Sequence, residues 1–580
     1  MDINIEKFLG LNESLSQTEL EVGEAVVCRN FRLTDSYKLK KFGGYRPLFQ
    51  SLGEGEIYGH CHCTLNGYEM HLFNYDGDMY RYEEGGVPVN IGFIGKAKTS
   101  IIFFNKKVFI LNGINFKQYT GIGNVTDIEA YIPIISTSST PSGGGTILEG
   151  LNALHMSRRH QFNGDSSSTI YQLSEKALNS IDKVVVNGAV VSNYTTDLPN
   201  GRITFNTAPS TGVNNIEITY TKTHDEHLKL AKCKAATLFG SENNNRMFLF
   251  GNPDTKNRMY YSTFGINAPN LMYFPVLNFF DVGSGEYPIT GVQSRSSMQV
   301  IFTEEEAYVT TIDSYINQLG DPTTFFRLSI LDSAKGNMAF NQPQIVNNSI
   351  ITLSSDGLYA WSGTNVRSEL NKEHISKRIR WSLEDFNFRK TLMYDHEENG
   401  ELWIHYGSEC IIWNYRINAF YKRTNVNATC FLEVNGKLHF GTSQGTIMVF
   451  DNVATTDNGD LITSEYHTGY LGFGRDYRLK YITRLFASLK PEASAYVRIE
   501  FDDEKGYTGA FAEFGQELFT YKDVNYGDWS YETDINIRPF RAKIKLKKKS
   551  VIKIRIISDR ESSCLLIGMG LITRFGGEIK

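Results

Sequence analysis

The chain has 580 residues, 41% of them hydrophobic and 21% charged, which is the composition of a folded globular protein and argues against extensive disorder. This length predicts about three to five domains. The 59 basic and 64 acidic residues leave a net charge of −5, which disfavours a chain-wide nucleic-acid clamp. We find no signal peptide and no apolar run of about 18 residues, so we expect cytoplasmic synthesis and no membrane span.

A recurring hairpin is the dominant pattern along the chain. Each copy has a polar turn, a short apolar strand, a second turn and an aromatic strand, and seven copies begin near residues 66, 105, 245, 298, 347, 400 and 435. From the third copy on, the spacing is about 35–50 residues, which is typical of a four-stranded propeller blade. The pattern predicts an all-β fold with a β-propeller of six to eight blades. A β-sandwich with many meanders is the alternative.

The period fails between the second and third hairpins. A Ser/Thr/Gly-rich stretch at 136–145 is interpreted as a linker, and the strands after it predict an inserted small β-sandwich or barrel. After Asp451 the hairpins give way to long alternating strands. The predicted organisation has four parts: residues 1–145, the N-terminal part of the β-propeller; 146–225, the inserted β-domain; 226–455, the remainder of the propeller; and 456–580, a C-terminal β-sandwich.

Two local predictions accompany this organisation. Val26 and Val27 are expected to pair with the last blade near Met448 and Val449, which would close the circle of blades. One helix is predicted in the chain: Ser368 is a candidate N-cap, and Ile375, Ile379 and Leu383 recur at helical spacing.

Motifs of catalytic or metal chemistry are weak in this sequence. The run His60–Cys63 lies in a predicted strand, where alternation sends the two histidines and the two cysteines to opposite faces. Asn74–Asp78 resembles the start of a calcium loop but lacks the glutamate at position 12, which favours a hairpin turn. Glu304–Glu306 reads as a polar turn. We therefore expect no enzyme, no catalytic residue, no cofactor and no metal.

One segment is electrostatically unusual. Residues 535–558 contain nine basic residues and no acidic one, and the basic residues alternate with isoleucine and leucine. A solvated sheet face explains this alternation, and a docking surface for an acidic partner or a phosphate backbone is the alternative. The candidate contact residues are Arg538, Arg541, Lys543, Lys545, Lys547, Lys549, Lys553 and Arg555.

Short motifs in a fixed order resemble a family of tailed-bacteriophage proteins, the tail-tube, nozzle and hub proteins of short-tailed phages. The N-terminal motifs are Gly10-Leu11-Asn12, Leu20, Gly23-Glu24-Ala25, Asn30 and Lys41-Phe42-Gly43-Gly44-Tyr45. Further similar stretches are RMFLFGNPDTKNRMYYS, LSSDGLYAW and ITSEYHTGYLGFGRDYRLKYITRL. Phe42 departs from the family pattern, which has arginine or lysine there.

The resemblance implies a structural virion protein of the phage tail. Such proteins form a ring, commonly a hexamer, below the portal and adaptor, where they retain DNA and then conduct it into the host. The implied partners are further copies of the chain, portal and adaptor proteins, tail fibres and the phage DNA that passes through the channel. The alternative is a glycan-binding or glycan-cleaving β-propeller of the tail, acting in receptor binding or as a depolymerase.

Overall fold

The computed structural model describes most of the chain. The described residues are 2–240, 245–264, 272–295, 298–316, 322–362, 371–475, 477–490, 494–503, 506, 508–517 and 538–578. These residues fold into two compact units, of which unit one is Met1–His62 with Asn337–Lys580 and unit two is Cys63–Gly336. Their regular structure is almost entirely β-strand, which confirms the all-β prediction. None of the described helices is both long and apolar enough to cross a membrane.

Four-stranded meanders are the main element of unit two. Each is built around one of the first four predicted hairpins, which are therefore confirmed. The first meander starts in a strand that crosses the boundary between the units. The strands are Ile57–Leu65, Tyr68–Tyr75, Asp78–Tyr82 and Val89–Phe93; Ser100–Phe104, Lys107–Leu111, Phe116–Tyr119 and Thr126–Asp127; Ala235–Phe239, Arg246–Phe250, Arg258–Tyr261 and Phe279–Asp281; and Ile289–Arg295, Met298–Thr303, Ala307–Ile316 and Pro322–Asp332.

Unit two also holds two sheets that share a separate core, which includes Phe162, Tyr171 and Ile218. The six-stranded sheet consists of Ile134–Ser139, Thr146–Ile147, Ser157–Gly164, Ser180–Val186, Ala189–Val190 and Gly212–Thr221, and the three-stranded sheet of Ile170–Gln172, Tyr194–Asp197 and Arg202–Phe205. The linker interpretation of 136–145 is wrong in part. Ile134–Ser139 pairs in parallel with Ser157–Gly164, because buried Ile134, Ser136 and Ser139 anchor it to the sheet.

Three further four-stranded meanders lie in unit one and contain the last three predicted hairpins, which are likewise confirmed. The first is a separate sheet, the second is part of a ten-stranded sheet and the third is part of a six-stranded sheet. Their strands are Gln344–Val346, Ser349–Ser354, Gly357–Ser362 and Asn371–His374; Leu392–His396, Glu401–Tyr406, Glu409–Asn414 and Ala419–Thr424; and Cys430–Val434, Lys437–Gly441, Ile447–Asp451 and Gly44–Pro47. The last sheet is extended by the short strands Thr456–Asp457 and Asp460–Leu461.

The strand that completes the last meander differs from the predicted one. Met448 pairs with Pro47 and Val449 with Arg46, whereas Val27 pairs with His467, so the expected pairing of Val26 and Val27 with Met448 and Val449 is wrong. The close approach of the Gly44 backbone to the Thr456 backbone favours the observed pairing. A Cβ on Gly44 would lie 1.7 Å from the Thr456 carbonyl oxygen, so a residue without a side chain is required there.

The predicted helix is shorter than its spacing suggested. A 3-10 turn at Ser376–Ile379 leads into the α-helix Arg380–Glu384, and Ile379 and Leu383 are buried. Ser368, the candidate N-cap, lies outside the described residues. The remaining 3-10 turns are Asp225–Leu228, Leu230–Lys232, Phe388–Lys390 and Glu397–Asn399.

The two ends of the chain are interleaved in two large sheets of unit one. The lysine sheet consists of Asp2–Ile5, Phe31–Leu33, Leu39–Lys41, Arg478–Leu489, Arg538–Lys549 and Leu565–Glu578. The companion sheet consists of Gly10–Leu11, Glu24–Arg29, Ser464–Leu471, Ser494–Asp502, Thr508–Glu517 and Ile552–Ser558, and continues into the strand Ala419–Thr424. Leu485 and Leu546 of the lysine sheet and Ile499 and Ile554 of the companion sheet belong to one hydrophobic core.

The residues that carry the phage resemblance lie where these ends meet. The Asn12 amide donates to Glu24 Oε1 at 2.9 Å, and the Asn30 amide donates to Thr424 Oγ1 and to the Thr463 carbonyl oxygen, both at 2.8 Å. Gly23 has φ +101°, and a Cβ there would lie 2.3 Å from the Lys7 carbonyl oxygen. Asn30 therefore joins segments that are distant in sequence, whereas Asn12, Gly23 and Glu24 hold the N-terminal segment together.

Candidate functional site: a basic sheet face

The strand Arg538–Lys549 of the lysine sheet carries the predicted basic segment. Ile544 and Leu546 are buried, whereas Lys543, Lys545 and Lys547 are exposed. The predicted alternation is confirmed for these residues, because an antiparallel strand sends successive side chains to opposite faces. Arg541 is exposed in phase with the three lysines.

Lys549 does not continue this row. The preceding residue, Lys548, adopts a positive φ of 56°, and the strand's register shifts between Lys480 and Ile482 on its neighbour. Lys549 is half-buried, and its Nζ lies 2.5 Å from Asp503 Oδ2. The prediction that Lys549 shares the free face is therefore wrong, because its charge is neutralised within the chain.

The neighbouring strand adds cations that the sequence analysis did not identify. Arg484 is the cross-strand partner of Lys543, and both side chains are exposed. Like charges placed directly opposite each other destabilise a sheet. Arg574, on the next strand, is exposed on the same face. Arg484, Lys543 and Arg574 come together because Arg478–Leu489 pairs with both Arg538–Lys549 and Leu565–Glu578. A single sequence does not show that pairing.

We define the basic face as Arg484, Arg541, Lys543, Lys545, Lys547 and Arg574. Within the described part of the chain, none of these six cations has a carboxylate oxygen within 4.0 Å, whereas most of the other arginines and lysines of the two terminal sheets are paired or hydrogen-bonded. No carboxylate of the described residues therefore neutralises this face.

Lys553 and Arg555 lie on the companion sheet instead. Arg555 forms ion pairs with Glu500 at 2.7 Å and with Asp502 at 2.8 Å. Lys553 Nζ donates to Gln17 Oε1 at 3.3 Å, and burial lowers the pKa of Lys553. These two candidate contact residues therefore lie on a different sheet from Lys543, Lys545 and Lys547. The backbone of Arg538 pairs with Leu489, while its side chain lies outside the described residues.

A groove of mixed polarity borders the basic face on the same side of the lysine sheet. Its cavity of about 580 Å³ lies over Gly568 and Gly570, and its lining combines apolar residues with Glu6 and Lys38. Phe486 is the cross-strand partner of both Gly570 and Arg541, so groove and cations are adjacent. The arrangement combines exposed apolar surface with unpaired positive charge, as at docking surfaces for proteins.

The other sequence-derived candidates take structural positions. His60–Cys63 lies within the strand Ile57–Leu65. Asn74–Asp78 is a hairpin turn, as predicted, in which Asp76 pairs with Lys96 at 2.7 Å. Glu304–Glu306 connects two strands of a meander. Over the described residues, no three His, Cys, Asp or Glu side chains form a group that could hold a metal ion.

Comparisons with known proteins give no family for this chain. No protein-family model and no curated protein sequence matches it. Among solved structures, it is similar to the extracellular domain of a proposed one-component system from B. thetaiotaomicron, with 9% identity and a TM-score of 0.25, over 81% of this chain and 44% of that one. An exo-β-1,3-galactanase from Phanerochaete chrysosporium has 8% identity and a TM-score of 0.17, over 83% and 97% of the two chains.

A third similar structure, AztD from Citrobacter koseri, has 10% identity and a TM-score of 0.29, over 72% of this chain and 98% of that one. The chain thus spans less than half of the first of these structures and nearly all of the other two. TM-scores this low carry no conclusion about fold or function.

Proposed function

We propose that the chain is a structural protein of a bacteriophage tail that assembles into a ring by docking the basic face of the lysine sheet on an acidic surface of a neighbouring subunit. The observation that carries the proposal is the unpaired basic face. The six cations of this face belong to a chain of net charge −5, so the rest of the chain carries a net negative charge. Other copies of the chain therefore offer the opposite charge.

The architecture that we propose for this assembly is a seven-bladed β-propeller with an inserted β-domain and a C-terminal β-sandwich. Seven four-stranded meanders support it, together with the strand Gly44–Pro47, which supplies the last strand of the last meander from the start of the chain. A strand from one end of a repeat array that completes the sheet at the other end would lock the blades into a closed ring. The predicted domain boundaries remain predictions.

Ring assembly follows from heterologous contacts, in which one face of a subunit binds a different face of the next. We propose a ring, commonly sixfold in the family that the chain resembles, placed in the virion tail below the portal and adaptor. Tail fibres and DNA would be its other partners. A channel through a chain of net negative charge would let DNA slide, because a basic lumen would hold phosphates.

Purified chain, alone and with its adaptor, should be weighed by mass photometry at low and moderate salt. We expect a ring whose stability falls as salt rises, because exposed charges are screened. A protein that stays monomeric in both states and is missing from virions would contradict the proposal. Binding of double-stranded DNA by the basic face of a monomer would instead assign this face to phosphate recognition.

The alternative function is a glycan-binding or glycan-cleaving protein of the tail. Its test is a cleavage assay on host-surface glycans with the purified chain. Release of reducing ends by the chain would favour a depolymerase over a purely structural component.

A further inference from the structure

A second cavity, separate from the basic face, lies in unit one among the turns of the last two meanders. It has a volume of about 410 Å³, within the range of about 300–1,000 Å³ that is usual for small-molecule sites. Its lining combines Phe42 and Gly43 with residues at strand ends, including Glu401 and Asp451. We call it the Glu401 cavity.

The floor of the Glu401 cavity is a fixed polar cluster. Glu401 is fully buried, and its Oε1 accepts hydrogen bonds from Arg32 and from the Tyr421 hydroxyl, both at 2.6 Å. Its Oε2 accepts from Trp403 Nε1 at 3.2 Å. The Arg32 guanidinium also lies 5.4 Å from the centre of the Phe42 ring. Because each group is held by several partners, Arg32 is presented to the cavity in one orientation.

The charges around the Glu401 cavity nearly cancel. Arg32 is paired with Glu401, and Asp451 is paired with Arg46 at 3.2 Å. The other charged residues of the lining are one cation, Lys437, and one anion, Glu398. A phosphate or carboxylate ligand needs a net positive site, whereas this site offers no net attraction for ions of either sign.

Amide side chains at the rim supply groups that suit hydroxyls. Asn435 and Asn452 are exposed at the mouth, and a side-chain amide both donates and accepts hydrogen bonds. A hydroxyl group does the same, so two amides beside a buried guanidinium match a ligand with several hydroxyls. The half-buried Phe450 adds apolar surface against which the carbon skeleton of such a ligand can pack.

We propose that the Glu401 cavity binds a neutral saccharide unit, held by Arg32 and by the rim amides Asn435 and Asn452. This inference does not depend on ring assembly, because the cavity and the basic face share no residue. A tail protein with this site would bind a sugar of a surface polysaccharide while its basic face contacts a neighbouring subunit.

The test is titration of the purified full chain with D-glucose, D-galactose, N-acetyl-D-glucosamine and lactose, followed by saturation-transfer NMR, with inorganic phosphate as the comparison probe. We expect at least one sugar to bind and phosphate not to bind. The variant Asn452→Ala removes an exposed amide at the rim and should weaken binding about fivefold, the contribution of one hydrogen bond. The matched control Gln50→Ala removes an exposed amide outside the cavity and should bind as the parent does.

Two results would overturn the saccharide proposal. One is that correctly folded protein binds none of the four sugars at concentrations up to about 10 mM. The other is binding of a sugar with equal affinity to the parent and to a double variant, Asn435→Gly with Asn452→Ala, which would place the sugar elsewhere; glycine suits the positive φ of 51° at residue 435. Neither result affects the ring, whose assembly is measured independently by mass photometry.

Discussion

The outer faces of the two terminal sheets differ in how they treat charge. On the companion sheet, Arg498 and Arg555 share Glu500 and reach Asp559 and Asp502, respectively, at 2.7–2.9 Å. On the lysine sheet, Arg484 stands opposite Lys543 with no carboxylate nearby in the described residues. The arginines of the companion sheet are neutralised by carboxylates of the same chain. The lysine sheet retains a repulsion that no carboxylate of the described residues relieves, and this difference singles it out as a candidate contact surface.

Edge protection is a competing explanation for the lysines. Within the described residues, Arg538–Lys549 is the last strand of the lysine sheet, and lysines on edge strands prevent pairing between molecules. Protection of an edge needs charge of either sign, whereas docking on an acidic surface needs positive charge. Reversal of the sign therefore separates the two explanations.

The largest effect is expected from this reversal. The triple variant Lys543→Glu, Lys545→Glu, Lys547→Glu should weaken ring assembly about a hundredfold, since each of three exposed pairs contributes up to about 1 kcal/mol. Its melting temperature should not fall, because Ile544 and Leu546 still fill the core and Lys543→Glu places a carboxylate opposite Arg484. Mass photometry and thermal denaturation measure the two properties.

The matched control reverses three lysines in unit two, Lys176→Glu, Lys183→Glu and Lys234→Glu, which are exposed and change the net charge equally. This control should assemble as the parent does. Equal assembly by both triple variants would leave edge protection as the explanation of the lysine row.

The companion sheet should lose stability when one of its ion-paired cations is removed. The variant Arg555→Met leaves Glu500 and Asp502 with a missing partner, and should lower the free energy of unfolding by about 2 kcal/mol. Lys545→Met on the lysine sheet should change it by less than about 0.5 kcal/mol. Urea denaturation monitored by fluorescence measures both, and equal losses would abolish the distinction between the faces.

Acid should also separate the two faces. His467, the cross-strand partner of Arg555, has its pKa lowered to about 4 by burial and by the nearby Lys553 and Arg555. The unfolded chain takes up this proton below its ordinary pKa of about 6.5, whereas the folded chain does so only near pH 4. The free energy of unfolding should therefore fall as the pH drops from 6.5 to 4.

After allowance for solvent screening, the contribution of His467 to this fall is about 1 kcal/mol. His467→Gln should remove that part of the slope in urea denaturation at pH 6.5 and at pH 4.5. An unchanged slope would show that this imidazole titrates as in the unfolded chain. The six residues of the basic face include no histidine, so this measurement reports on the companion face.

Local sequence patterns predicted the hairpins, but they did not predict which distant strands pair. The turns Asp76-Gly77 and Asn435-Gly436 and the alternation around Lys543–Lys547 depend on neighbours in sequence, and the structure contains all three. The strand partner of Val449 depends on contacts some 400 residues away, where periodicity carries no information. The pair Gly43-Gly44 was the one sequence feature that could have indicated this pairing, because neighbouring glycines often mark a close approach of two backbone segments.

The candidate site divides in the same way. The sequence places Lys543, Lys545 and Lys547 on one face because alternation is a property of a single strand. It could not separate them from Arg555, because the distribution of strands between two sheets is a tertiary property. Nor could it show that Asp503 neutralises Lys549.

The smallest expected effect concerns the repulsion at the centre of the basic face. Arg484→Glu would place a carboxylate directly opposite Lys543 and replace a like-charge pair by an attractive one, which should raise the free energy of unfolding by about 0.5 kcal/mol. The same change should weaken ring assembly, because it neutralises the surface that an acidic neighbour would contact. Opposite changes in stability and assembly would show that Arg484 lowers the stability of the isolated chain but contributes to binding of a partner. If both rise together, Arg484 lies outside the contact surface and the basic face is limited to the edge strand.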